Sequence, residues 1–152
     1  MTSYPCPEWL KRRRITDEEY GRWLDHQTSK VWMREKKHCK TACTTPGELK
    51  QVLHVAAHAS NGRDPYSGAR FFVKHLRAGW SDAQAHLNGN RHYLTLRRCM
   101  PSFDHVKGLG HKAYELCTRE TNAAKSYMSP TQFVDLCRRV VHHRDNQAPT
   151  PA

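Results

Sequence analysis

The sequence has no long apolar run, and its first thirty residues contain no apolar segment of the kind found in signal peptides. No stretch approaches the roughly 20 apolar residues that a membrane-spanning helix needs. The basic run near the N-terminus is not followed by the apolar core of a signal peptide. These absences predict a cytoplasmic protein without a membrane span, whose six cysteines are reduced thiols rather than disulfides.

Acidic residues are also scarce. The chain has 14 Asp and Glu against 25 Lys and Arg, which gives a formal net charge of +11, and 11 histidines add to it. An excess of this size favours a polyanionic partner, with nucleic acid first and an anionic membrane surface second. A basic surface that is merely well solvated is the alternative.

The chain shows no internal repeat and no second domain. Its 152 residues suffice for one domain with a real core and are too few for two ordinary domains. We expect a flexible basic arm over residues 1–15, one domain over residues 16–144 and a disordered tail over residues 145–152.

Three segments carry helix signals. "TDEE" is a capping box that starts a helix reaching about Lys37, and "TPGE" starts a second helix with Pro46 in its first position. "SPTQFVDLCRRVVHH" is a third, with Ser129 as its N-cap. The expected apolar faces are Tyr20, Trp23, Leu24 and Val31, then Leu49, Val52, Leu53 and Ala56, then Phe133, Leu136, Cys137 and Val140.

Between these helices the sequence favours extended segments. "ARFFVKHL", "HYLTLRR", "SFDHV" and "AYELC" have the composition or the alternation of strands. "SDAQAHLN" predicts a short capped helix, and residues from Asn122 to Tyr127 can start another. The combination indicates an α+β protein.

Four segments between Asp64 and Arg144 occur in a telling order: "DPYSG", "FDHV", "AYELC" and "TNAAK". This order resembles the HNH endonucleases, whose active site is a ββα-metal finger in which two strands and a helix hold one divalent ion. The family's C-x-x-C-G knuckle keeps its shape in "DPYSG", with Asp64 and Ser67 replacing the cysteines. The resemblance implies an HNH core over residues 64–144, with additional N-terminal helices, a C-terminal helix and no structural zinc.

The chemistry of phosphodiester cleavage suits these residues. Asp104 and Asn122 offer oxygen ligands to Mg²⁺ (or Mn²⁺), and His105 can act as the general base. Lys125, one helical turn from Asn122, can meet a phosphate oxygen. Neighbouring side chains on a strand point to opposite faces, so the strand must bend or end here if Asp104 and His105 act together.

The family's middle Asn, which orients the base, has no clear counterpart. His111 and Lys112 lie nearest to its expected place, and His111 is the candidate substitute. The alternative interpretation is structural: Asp104 and His105 form a turn, and Asn122 and Lys125 begin an ordinary capped helix. Cys117, without a second cysteine nearby, is expected to be a small buried core residue.

Basic side chains outside this constellation are expected to contact phosphates, although a solvent-facing role is the alternative. Trp9, beside the basic arm, is a candidate for base stacking, whereas Trp23 fits a helix core. The predicted phosphate contacts come from the arm, from the cluster at residues 36–40 and from the candidate site: Arg12, Arg13, Arg14, Lys36, Lys37, Lys107, Arg119 and Lys125.

Cys39, Cys43, His54 and His58 match the residue types of a Cys2His2 zinc set, which would be a second metal site. The helix face that carries the two histidines also carries Lys50, which favours a plain polar face instead.

The sequence as a whole therefore predicts a metal-dependent DNA endonuclease. It does not distinguish an enzyme that nicks one strand from one that cleaves both strands. The rival prediction is a non-catalytic nucleic-acid-binding module with the same fold. DNA is preferred to RNA through the family resemblance alone.

Overall fold

The structure is a computed structural model that describes residues 4–38, 43, 45–76, 96–106 and 112–146. Helices and a pair of strands follow one another along the chain. They are α1 (Glu8–Lys11), α2 (Asp17–His38), α3 (Pro46–Ala59), a 3₁₀ turn (Lys74–Leu76), β1 (Pro101–His105), β2 (Tyr114–Thr118), α4 (Arg119–Lys125) and α5 (Pro130–Asp145).

The predicted α+β class is confirmed. β1 and β2 form a two-stranded antiparallel sheet in which Pro101 pairs with Thr118 and His105 pairs with Tyr114. α4 follows β2 directly and packs against both strands, so these three elements form a ββα unit. Among the described residues, we find no helix with both the length and the apolar character that crossing a membrane requires.

The helix starts lie where the capping signals predict them. Thr16 Oγ1 accepts a hydrogen bond from the Glu19 amide, and the Glu19 side chain accepts one from the Thr16 amide, which completes the box. Ser129 and Gln132 form the same box at α5, and the Thr45 side chain caps α3 by accepting from the Glu48 amide. Each cap satisfies backbone donors that the first helical turn leaves unpaired.

The core forms where α2 and α3 pack together. α3 also packs against β2, and α2 packs against the 3₁₀ turn. The predicted faces of α2 and α3 are confirmed, with Val52 partly buried at the edge. Both strands contribute apolar residues to the same cluster. Its largest fully buried apolar side chains are Tyr20, Phe103, Leu10, Leu24, Leu49, Leu53 and Leu116.

The N-terminal segment differs from the flexible arm that the sequence predicts. From residue 4 onward it is folded onto the domain, because Cys6, Leu10 and Ile15 are buried in the core. The Cys6 amide also donates to the carboxylate of Asp17 at 2.8 Å. The exposed residues of this segment are Pro5, Glu8 and the basic run at residues 11–14, and that basic run had suggested an unpacked arm.

Two segments that the sequence predicts to be extended do not form regular strands in their described parts. "ARFFVKHL" forms a single antiparallel bridge between Arg63 and Arg70, and then an irregular run that ends in the 3₁₀ turn. Phe71 and Val73 are buried and Phe72 between them is partly buried, so burial alternates along this run although it is not assigned as a strand. Of "HYLTLRR", residues 96–98 are helical, and the remainder lies outside the described residues together with "SDAQAHLN".

The last two helices also differ in detail. α4 starts at Arg119 with Thr118 as its cap, so Asn122 stands in the fourth helical position and not at the opening. α5 matches its predicted bounds and includes Asp145, the first residue of the predicted tail. None of its side chains is buried among the described residues, so its apolar stripe lies at the surface.

Candidate active site

Asp104 and Lys125 form a buried ion pair between β1 and α4. Lys125 Nζ lies 2.7 Å from Asp104 Oδ2 and 2.8 Å from the carbonyl oxygen of His105, to which it also donates. The Lys125 side chain is 1 % exposed and that of Asp104 is 7 % exposed. Lys125 therefore contacts protein oxygens in this arrangement, and its contact with a phosphate stays a prediction.

Asn122 lies one turn before Lys125 on the same face of α4. Its Nδ2 donates to Ser102 Oγ at 2.9 Å and to the carbonyl oxygen of Phe103 at 3.0 Å. Because a carbonyl oxygen can only accept, the amide nitrogen must face β1. The amide oxygen, which is the atom a hard cation would bind, occupies the other side of the group.

His105 points away from Asp104, since successive side chains of a strand alternate. The strand does not bend: β1 stays paired through His105 and ends there. The imidazole faces α2, where its Nε2 lies 2.8 Å from Glu35 Oε1. Tyr114, the cross-strand partner of His105, donates its hydroxyl to the same Glu35 oxygen.

The Glu35 contact determines which ring nitrogen of His105 can accept a proton. A carboxylate oxygen only accepts hydrogen bonds, so Nε2 carries the ring hydrogen and Nδ1 holds the lone pair. Burial lowers the pKa of His105, and the nearby Glu35 carboxylate offsets part of that decrease. The imidazole is therefore neutral near pH 7, which is the form that a general base requires.

A pocket of about 230 Å³ brings the predicted site residues together. Its wall includes Asp104, His105, Asn122 and Lys125, and Arg34 of α2 contributes a positive charge to its edge. Asp104 and His105 thus border one cavity although their side chains leave opposite faces of β1. His111 and Lys107, two further predicted site residues, lie outside the described residues.

The "DPYSG" turn, whose sequence resembles a knuckle, is held by the carboxylate of Asp64. Asp64 Oδ1 accepts from the amides of Tyr66 and Ser67 and from the Ser67 hydroxyl, and Oδ2 accepts from the Thr118 amide at 2.7 Å. Burial alone would raise the pKa of Asp64, but these hydrogen bonds outweigh it and the pKa is lowered. The turn is thereby joined to the N-cap of α4.

A cluster of basic residues extends from the pocket edge, and we call it the α2–α4 cationic cluster. It consists of Lys30 and Arg34 on α2, Arg97, and Arg119 at the start of α4. Burial lowers the pKa of Lys30, and the positive charges of the three arginines lower it further. The sequence predicts Arg119 as a phosphate contact and misses the other three, although the i,i+4 spacing of Lys30 and Arg34 could have suggested one helix face.

The remaining predicted nucleic-acid contacts are exposed. Lys36 and Lys37 lie near the end of α2, and Lys36 Nζ is 5.1 Å from the ring centroid of Trp32. The arm residues Arg12, Arg13 and Arg14 follow α1 and face solvent. These positions are accessible to a phosphate backbone.

The two tryptophans named in the sequence pattern are both used in packing. Trp23 is buried in the core, as predicted. Trp9 is partly buried, and its Nε1 donates to the carbonyl oxygen of Ala57. Cys117 is fully buried, which confirms its expected place in the interior.

In the alternative zinc set, one ring nitrogen of each histidine is hydrogen-bonded to a protein atom. His54 Nδ1 is hydrogen-bonded to the Tyr20 hydroxyl at 2.9 Å, and His58 Nε2 donates to the carbonyl oxygen of Pro5. Cys39 lies outside the described residues. In the part of the chain that the structure describes, no group of three or more His, Cys, Asp and Glu residues could hold a metal ion.

Comparisons of the chain with protein-family models, with curated proteins and with solved structures found no match. Any assignment of function therefore depends on the geometry of the pocket and on the charges around it.

Proposed function

We propose that the protein is a metal-dependent endonuclease of the HNH type, acting on DNA. The observation that carries this proposal is the convergence of Asp104, Asn122 and His105 on one pocket of a ββα unit. The three residue types supply two oxygen ligands and a base, which is what phosphodiester hydrolysis with one divalent cation needs.

The residues of the pocket fit a weakly held Mg²⁺ or Mn²⁺. The described donor set is a carboxylate from Asp104 and an amide oxygen from Asn122, both of which are ligands preferred by hard cations. Such a site leaves most ligand positions to water and phosphate, as magnesium sites usually do. When bound, the ion neutralises negative charge on the phosphate oxygens.

The protein residues then divide the remaining tasks. His105 accepts the proton of the attacking water at Nδ1, and Glu35 orients the ring and balances the positive charge that forms on it. The α2–α4 cationic cluster binds the phosphates on either side of the bond to be cleaved. Glu35 thus takes the orienting role for which His111 was the sequence candidate.

A second candidate function is non-catalytic binding of nucleic acid. The observation in its favour is the Lys125 ammonium at 2.7 Å from Asp104, which already neutralises the carboxylate that would attract the metal ion. Under this alternative the pocket is a structural ion pair, and the basic surface alone carries the function.

Cleavage of plasmid DNA with Mg²⁺ separates the two candidates. We expect the wild type to cleave and Asp104→Asn, which removes the charge and keeps the shape, to be inactive. His105→Gln retains a donor toward Glu35 but no base, and its rate should fall by about 10²–10⁴-fold. Asp135→Asn, a change in an exposed α5 carboxylate, is the matched control and should cleave normally.

Each variant is compared with the wild type by circular dichroism and by binding of a fluorescent duplex in chelator. A folded wild type that binds duplex but does not cleave it with Mg²⁺ or Mn²⁺ would favour the non-catalytic candidate. Normal cleavage by a folded Asp104→Asn would contradict the proposed site.

A further inference from the structure

A second basic pocket lies between the turn after α1 and the segment that follows α3. It has a volume of about 180 Å³, and four arginines line it: Arg12 and Arg13 from the turn, and Arg63 and Arg70 from the segment. Trp9 and Phe71 form part of its wall. We call it the arginine pocket, and it shares none of its described lining residues with the pocket at Asp104.

The apolar wall of the arginine pocket is held by direct contacts. The rings of Trp9 and Phe71 have centroids 5.6 Å apart, and the Phe71 amide donates to the carbonyl oxygen of Gly62. Gly62 has a φ of +77°, and a Cβ at this position would lie 2.9 Å from Trp9 Cε3. A glycine is therefore needed both for the backbone conformation and for the close approach of the indole.

The arrangement of charge around this wall opposes folding in the absence of an anion. Arg63 and Arg70 are directly paired across an antiparallel bridge, a position in which like charges repel. Arg63 Nη1 donates to the carbonyl oxygen of Gly68, which fixes its guanidinium near the pocket. Arg12 has an exposed carboxylate, Glu8, at 3.5 Å, and an ion pair of this kind contributes little.

We propose that the arginine pocket binds one backbone phosphate of a nucleic acid, at a point separate from the candidate active site. Guanidinium groups bind phosphate oxygens through paired hydrogen bonds, and an anion among the four would relieve the repulsion between Arg63 and Arg70. The proposal uses the nucleic-acid partner of the proposed function but does not depend on cleavage. It gives the first arginines of the predicted arm a defined partner surface, the segment that carries Arg63 and Arg70.

The test is duplex binding in chelator, measured by fluorescence anisotropy over a range of salt concentrations. The double variant Arg63→Gln/Arg70→Gln is compared with Arg139→Gln/Arg144→Gln, which removes the same charge from the exposed face of α5. We expect the plot of log affinity against log salt to become shallower by about 0.9 in the pocket variant, since the pocket is proposed to bind one phosphate and each phosphate contact contributes about 0.9. The control should retain the wild-type slope.

Thermal unfolding without nucleic acid provides the second measurement. Because Arg63 and Arg70 repel one another, the single variant Arg70→Gln, which keeps the hydrogen bond from Arg63 to the Gly68 carbonyl, should unfold at the wild-type temperature or above it while it binds duplex less tightly. Weaker binding by a variant of undiminished stability is the signature of a binding site, since simple damage to the fold lowers both.

Three outcomes would overturn the inference: an unchanged slope in the pocket variant, an equal decrease of the slope in both double variants, or an Arg70→Gln variant that unfolds at lower temperature than the wild type. An increase in the unfolding temperature of the wild type on addition of inorganic phosphate at constant ionic strength, together with an unchanged salt slope of duplex binding in the pocket variant, would likewise overturn it. That result would indicate a site for free phosphate. The failure of the proposed function is a different result, namely no cleavage with Mg²⁺, and it leaves the salt slope untouched.

Discussion

Lys125 Nζ lies 2.7 Å from Asp104 Oδ2, in a part of the molecule where both side chains are almost entirely removed from water. The ammonium also donates to the backbone of His105, and Glu115 Oε1 lies 4.0 Å away. Removing two charged groups from water costs a large free energy of desolvation. Their attraction offsets this free energy only when both partners are present and hydrogen-bonded. The pair therefore joins α4 to β1 and fixes the position of Asp104 at the pocket.

Removal of one partner should be far more costly than removal of both. Lys125→Met leaves the Asp104 carboxylate buried without a counter-ion, and we expect a loss of about 3–5 kcal/mol in the free energy of unfolding. Adding Asp104→Asn to that variant removes the uncompensated charge and should restore a large part of the loss. Urea denaturation of the wild type, the two single variants and the double variant gives the coupling. Additive single effects would contradict a coupled buried pair.

The knuckle turn should resist chelation and depend on Asp64. The Asp64 carboxylate accepts hydrogen bonds from both the turn and the Thr118 amide, so no metal is required to hold these segments together. Asp64→Ala leaves those donors buried without acceptors and should lower the free energy of unfolding by about 3 kcal/mol or more. Excess chelator should leave the melting temperature of the wild type unchanged. A decrease on chelation would mean that a metal supports the turn.

Local signals explain which parts of the fold the sequence predicts well. Thr16, Thr45 and Ser129 each precede a helix with the expected partner three residues later, and all three cap their helices in the structure. A cap depends on contacts within four residues, so the sequence contains the whole interaction. The strands around Asp104 and Cys117 were found for a related reason, since alternation and the following turn are local as well.

Contacts between distant segments explain the errors. Glu35 meets His105 across seventy positions, and no spacing rule connects them. For Lys125, helical periodicity gives the face that it shares with Asn122, but whether that face meets solvent or the Asp104 carboxylate depends on the packing of α4 against β1. The apolar residues of the N-terminal segment, such as Leu10, stand next to a run of basic residues, so the local sequence indicates an exposed arm. They pack against a core formed by distant segments, which the local sequence does not indicate.

His75 should make the fold sensitive to acid. Burial in the 3₁₀ turn lowers its pKa from 6.5 to about 4, with the positive charge of Arg119 adding to the decrease. Between pH 6.5 and about pH 4, the unfolded chain therefore binds a proton at His75 that the folded protein does not bind. The contribution of His75 to the free energy of unfolding is fully present above pH 6.5 and is lost as the pH falls toward 4. At about pH 4.5, the loss attributable to this group should be about 2 kcal/mol.

The comparison of His75→Gln with the wild type isolates that contribution. Both are unfolded with urea at about pH 7 and about pH 4.5, and the difference between the two pH values is compared, so any loss of packing cancels. The variant should lose less stability on acidification than the wild type. His143→Gln, at the exposed end of α5, is the control and should behave as the wild type does. An equal acid response in all three proteins would remove His75 as the cause.

Glu35→Gln tests the role that the structure gives to the residue behind His105. The amide oxygen of glutamine can still accept from the Tyr114 hydroxyl and from His105 Nε2, so the ring keeps its orientation. What the variant lacks is the negative charge that balances the imidazolium formed when Nδ1 takes a proton from water. We expect the single-turnover rate of DNA cleavage to fall by about 10–100-fold, the usual effect of removing a group that supports a site residue.

Affinity for duplex DNA and a matched control variant distinguish this role of Glu35 from a purely structural one. Glu35 is not among the residues of the α2–α4 cationic cluster or the arginine pocket, so the dissociation constant measured in chelator should not weaken. Tyr114→Phe is the matched control, because it removes one hydrogen bond to the same oxygen and retains the charge next to His105. Its cleavage rate should therefore remain closer to that of the wild type. If Tyr114→Phe and Glu35→Gln slow cleavage equally, the network acts only through packing, since the loss of charge then adds nothing to the loss of a hydrogen bond.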